Sequence, residues 1–206
     1  MLKPEDMDFI SNFSTVWAVF LGAILATLGG FAATQMEWQI ERVRRERNAA
    51  LFFGEVLQTL CVLLNMADES RAIGDPYGPI TLRMLRSALR EIDIYNRNRE
   101  TLYDIRKAEL RARVHTQILR ITMSCDGVFD SIQEISATRL ALRAPDLSLE
   151  HRQEYEDRLR ELIEFRKSGF DFAVESGAAL KNALRELEPI AHYSFDRIDR
   201  VARADA

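Results

Sequence analysis

The run from Ser14 to Thr34, STVWAVFLGAILATLGGFAAT, holds 21 residues without an ionisable side chain. Few structures accommodate such a run. As an α-helix it is about 32 Å long at 1.5 Å per residue, which matches a bilayer hydrocarbon core of roughly 30 Å. Trp17 near its start and Trp38 just past its end suit the two membrane interfaces, where indole is favoured. The run predicts a transmembrane helix over 14–34.

Two other readings compete, a cleaved secretory signal and a buried helix of a soluble protein. A signal requires a positive N-terminal region, whereas Glu5, Asp6 and Asp8 here outnumber Lys3. The downstream flank carries Arg42, Arg44, Arg45 and Arg47. Basic residues are retained on the cytoplasmic side, so this flank predicts residues 1–13 as a short external tail and the C-terminal bulk inside. The layout is that of many single-pass proteins of the bacterial inner (plasma) membrane, a likeness of architecture that carries no family motif.

Within the run, Ala18, Gly22, Ala26, Gly30 and Thr34 recur every fourth residue. Small residues at this spacing let two helix backbones approach closely, so the lipid-embedded helix is expected to pack against a copy of itself or another membrane protein.

Membrane character must be local. The mean hydropathy is −0.18 and 29% of the 206 residues are charged, too polar for a multi-spanning chain. A net charge of −4 argues against a nucleic-acid binder, which is usually basic overall. Residues 35–203 are expected to form a cytoplasmic bundle of long, mostly antiparallel helices, ending in a polar tail at 204–206. No segment alternates with the period of two that a strand requires. The fold class is therefore all-α.

The helical phase of the anchor continues through Ile40, Val43, Ala50, Leu51, Gly54, Leu57, Cys61 and Leu64, which predicts one unbroken helix to about Ser70. Its stretch LFFGEVLQTLCVLLNMA invites a second span, but it contains Glu55, is short and follows the Arg cluster too closely, so it reads as a bundle helix. GDPYGP at 74–79 stops the helix. A second helix is expected over about 81–95, with Asn98 placed to cap a third. Leu110, Val114, Ile118, Ile121, Cys125, Val128, Ile132 and Ile135 keep one phase, so 99–142 reads as a single helix, with Gly127 a candidate kink. Ala144-Pro145-Asp146 marks a turn, Ser148 a cap, and a helix over 149–187 follows to Glu188-Pro189, with a short one over 190–201 beyond.

Two charge ridges stand out. Arg99, Arg106, Arg113 and Arg120 lie seven apart, and Glu150, Glu154, Asp157, Glu161 and Glu164 recur at four and three. On helices they are expected to flank a seam and set its register, as flanking charges do in a coiled coil. The alternative reading gives the Arg ridge an anionic ligand, an anionic lipid or an acidic partner.

Cys61 and Cys125 sit on apolar stripes as core thiols. His115, His151 and His192 have no ligand spacing, and His115 reads as a solvated helix residue. Phosphate-loop, nucleophile-elbow and zinc motifs are missing from the sequence, so no cofactor, metal or catalytic residue is expected. The aromatics are expected in the core. Together these features point to a non-enzymatic, single-pass, oligomeric interaction protein. A membrane-bound sensor that holds an anionic ligand on the Arg ridge is the alternative.

Overall fold

The structure is a computed structural model. It describes the backbone of residues 4–145 and 147–196, and side chains at residue 17 and over 20–145 and 147–196. Every regular element among these residues is helical: α1 (Pro4–Ile73), α2 (Pro79–Arg97), a 3-10 helix (Arg99–Asp104), α3 (Ala108–Ala141) and α4 (Leu149–Ala191). The chain divides into two compact units, Met1–Arg45 and Glu46–Ala206. The boundary falls inside α1, which runs without interruption from Pro4, ahead of the apolar run, to Ile73.

The second unit is organised by spacing. Ala50, Phe53, Leu57, Leu60, Cys61, Leu64 and Ala67 of α1 are buried, at intervals that keep one helix face inward. In α2 the buried set Thr81, Leu85, Ala88, Ile92 and Tyr95 steps by four and three. Pro79 starts this helix, where its missing N–H costs nothing. The preceding turn is closed by Asp75, whose carboxylate accepts from the Tyr77 amide at 3.1 Å and whose carbonyl accepts from the Gly78 amide at 2.9 Å.

α3 and α4 are antiparallel neighbours. Glu134 meets Arg158, Gly127 meets Phe165 and Arg120 meets Phe172, so seven residues along one helix correspond to seven back along the other. Ser148 caps α4 by accepting from the His151 amide at 3.3 Å, as its place after the turn predicted. Close approach is needed at two glycines of the second unit. A Cβ on Gly177 would lie 2.6 Å from Leu64 Cδ1, and the Cys61 thiol donates to the Gly177 carbonyl at 3.3 Å. A Cβ on Gly54 would lie 1.9 Å from the ring of Phe195, which is itself buried.

Three expectations are corrected. The helix expected over 99–142 is broken at 105–107. Ile105 and Lys107 are extended, which lets Leu102 and Ile105 both turn into the core. The freed backbone groups find side chains. Glu46 accepts from the Arg106 amide at 2.9 Å, and Arg111 donates to the carbonyls of Ile105 and Arg106. Asn98 stands at the N-cap of the 3-10 helix, where its carbonyl accepts from the Thr101 amide at 3.0 Å, but its side chain makes no capping bond and instead donates back to the Ile94 carbonyl at 2.9 Å. Gly127, by contrast, leaves α3 unbroken.

At the other end, α4 passes through Pro189 to Ala191 and stops at His192, whose φ of 52° is left-handed. The Tyr193 amide returns to the Glu188 carbonyl at 3.3 Å, a six-residue closure that ends the helix. The Glu188 carboxylate accepts from the Phe195 amide at 2.9 Å. The short helix expected over 190–201 is thus replaced at its start by a turn, and 197–201 lie outside the described residues, as do Asp146 and the tail at 204–206.

Candidate interaction surfaces

The first unit presents apolar side chains outward. Phe20, Leu21, Leu25, Leu28 and Phe31 are each more than half exposed, and so are Met36, Trp38, Ile40 and Val43. α1 is the described helix long and apolar enough to cross a membrane. Trp17 and Trp38 are separated by roughly 32 Å of helix. Between them Thr27 donates to the Ala23 carbonyl at 2.8 Å and Thr34 to the Gly30 carbonyl at 2.9 Å. These hydroxyls are satisfied within the helix and ask nothing of their surroundings. Gly22, Ala26, Gly30 and Thr34 are all exposed, and a Cβ on Gly22 or Gly30 would meet nothing within 4 Å. Each step of four advances about 40° round the helix, so this set winds through roughly 120° and is broader than a single line. The side chain of Ala18 lies outside the described residues.

In the basic flank, Arg42 and Arg44 are exposed. Arg45 pairs with Glu41 at 3.0 Å, and Arg47 donates to the Ala191 carbonyl at 3.3 Å.

The four arginines spaced by seven do not form a ridge. The break at 105–107 leaves Arg99 on the 3-10 helix and Arg106 in the connecting segment. Arg106 pairs with Glu46 at 3.0 Å, Arg113 with Glu186 at 2.5 Å, and Arg120 lies 4.6 Å over the ring of Phe172. Arg99 stands near Tyr95 and His115. The acidic series on α4 is out of reach of all four, because the antiparallel register sets 150–164 against the C-terminal part of α3. Of its members, Glu161 pairs at 3.6 Å with Arg158, which also holds Glu134 of α3 at 2.8 Å, and Asp157 pairs with Arg160.

His115 is half-buried rather than solvated. Its ring stacks on Tyr95 with centroids 6.5 Å apart, and Nδ1 lies 3.4 Å from the Tyr95 hydroxyl. Burial, helped by Arg99, lowers the His115 pKa, and burial pushes Tyr95 up to about 12. The Cys125 thiol is also pushed up to about 12, by burial and by Asp126, so it stays protonated and unreactive. No group of His, Cys, Asp and Glu among the described residues is arranged to hold a metal.

An open groove of about 670 Å³ runs along the seam of α3 and α4. Met123 and Phe165 line it, and both are highly exposed, at 74% and 61%. Asp126, Asp130, Glu134 and Glu161 form its rim. Phe165 was expected in the core, as was Tyr103, which is also exposed. The missed signal is phase: Met123 falls between the buried positions Ile121 and Cys125, off their stripe. No protein-family model, curated protein or solved structure matches this chain.

Proposed function

We propose that this protein is a non-enzymatic interaction protein, held by a single transmembrane helix over 14–34 in the inner membrane of a bacterium. In this reading the N-terminus is outside and residues 35–203 form a cytoplasmic helical bundle. The observation that carries it is the contrast inside α1, where one apolar stretch is buried by protein and the other is bare. Fully covering a Leu or Phe side chain stabilises by about 1.5–3 kcal/mol, so the bare stretch forgoes on the order of 10 kcal/mol in water. That is comparable with the whole stability of a domain. A bilayer supplies the cover, and the internally bonded threonines suit it. Arg42 and Arg44 beyond Trp38 supply the cytoplasmic flank.

The small residues of the anchor support an oligomer or a complex with another membrane protein. The sensor alternative has less support, since Arg106, Arg113 and Arg120 each have a separate protein partner.

Fractionation of the full chain expressed in a bacterium tests the reading. It should remain in the membrane pellet after alkaline carbonate and be released by mild detergent. A monodisperse chain in the soluble fraction would remove the anchor. Cross-linking in membranes should give oligomers that Gly22→Ile with Gly30→Ile abolishes, and a chain that cross-links only as monomer ends the oligomer claim.

A further inference from the structure

The central core ends before α3 and α4 do. Its last fully buried member on α3 is Val128 and its first on α4 is Phe170. Beyond them the two helices bury only Ser131, Ile135 and Leu162. This is the narrow seam of a two-helix arm. Such an arm is expected to show charge outward, yet one face carries Met123 and Phe165. Leu119 and Phe172, one and two turns along the same faces, are also partly bare at 48% and 37%. Exposed apolar side chains gathered between charged rims mark interaction surfaces.

We infer that this groove docks a basic, amphipathic helix of another protein. Three features choose that occupant. The first is length: Met123 to Glu134 spans about 17 Å, three turns of helix, and a third helix fits the furrow between two packed ones. The second is the apolar floor, which takes side chains spaced three and four apart. The third is charge. Residues 126–165 hold ten acidic and five basic side chains, a net of −5 against −4 for the whole chain. The groove's basic residue, Arg158, is already engaged by Glu134 and Glu161, while Asp126 and Asp130 have no ion pair among the described residues. A second copy would set one acidic arm against another, at distances within the roughly 8 Å over which charges act at physiological salt. A helix with Lys or Arg beside its apolar stripe meets the rim with opposite sign.

This inference rests on the reading of the chain as an interaction protein but not on its membrane anchor, so fractionation and the following test fail separately. The full chain in non-ionic detergent is titrated into a fluorescent 18-residue peptide with leucines at alternating three- and four-residue spacing and lysines beside them. A second peptide keeps the leucines and replaces lysine by glutamate. The lysine peptide should bind about tenfold or more tighter than the glutamate peptide, beyond any signal from empty micelles. Phe165→Ser, and separately Asp126→Lys with Asp130→Lys, should each weaken it by about tenfold. These positions are exposed, and unchanged thermal melts by circular dichroism verify folding. Equal binding of the two peptides, or equal binding to wild type and Phe165→Ser, overturns the inference. So does sedimentation in which Phe165→Ser converts a dimer to monomer, since the occupant is then a second copy.

Discussion

The two apolar stretches of α1 have similar composition and opposite surroundings. Residues 20–34 expose Phe20, Leu25, Leu28 and Phe31, whereas residues 49–67 bury Phe53, Leu57, Leu60 and Leu64. Even their glycines differ: Gly22 faces open space and Gly54 is covered by the ring of Phe195. Apolar content alone therefore does not decide which stretch packs into protein. What separates them is patterning. The second stretch admits polar residues on its outer side, with Glu55 exposed while its neighbours on the inner stripe are buried. The first admits no charge on any side, and the described residues leave it exposed.

The sharpest break of this comparison is a pair of mirrored substitutions. Leu57→Arg places a charge in a fully buried site and should unfold the second unit, at a cost of several kcal/mol, without releasing the chain from membranes. Leu25→Arg should do the reverse, weakening insertion by about 2.5–3.5 kcal/mol while the core melts as before. Thermal melts in detergent and carbonate extraction read the two effects. Release by Leu57→Arg, or unfolding by Leu25→Arg, would erase the distinction.

Alanine at the glycines sharpens it further. Gly54→Ala should displace Phe195 and destabilise by roughly 1–3 kcal/mol, whereas Gly22→Ala should leave denaturant unfolding of the core unchanged. At the start of the second unit, Glu46→Ala removes the acceptor of the Arg106 amide. It should cost about 1–2 kcal/mol and raise hydrogen exchange at 105–107.

The smallest effect is pH-dependent and confined to the second unit. The folded pKa of His115 lies below its ordinary value of 6.5, so the unfolded chain binds the proton more readily. Stability is then full above 6.5, falls as pH drops through 6.5 towards the folded pKa, and levels off below it. The melting temperature should show this fall, His115→Gln should remove its share, and membrane retention should not follow it.

Much of this was legible in order along the chain. Five-residue spacing from Ile105 to Leu110 interrupts the three-and-four rhythm, so even the break at 105–107 left a trace. The start of α2 and the cap at Ser148 follow from Gly, Pro and Ser, whose backbone preferences act locally. The arginine series was legible as spacing but not as a site, because spacing implies a ridge only if one helix carries all its members. The turn after Ala191 had no local signal strong enough, since Pro189 permits either a stop or a continuation in the last turn.

The sequence by itself determined that the chain is helical and that one stretch of α1 admits no charge, because periodicity and local sterics act within a few residues. Tertiary structure alone decided which side chains meet. Glu46 reaches Arg106 across 60 residues, Phe195 lies on Gly54, and the α3–α4 register carries the acidic series past the arginines. Such pairings depend on where each helix stops and on how closely its neighbour approaches, quantities that no single segment contains. The bare stretch of α1 is the one place where the two levels meet: its composition is apolar throughout, and the described residues leave it exposed.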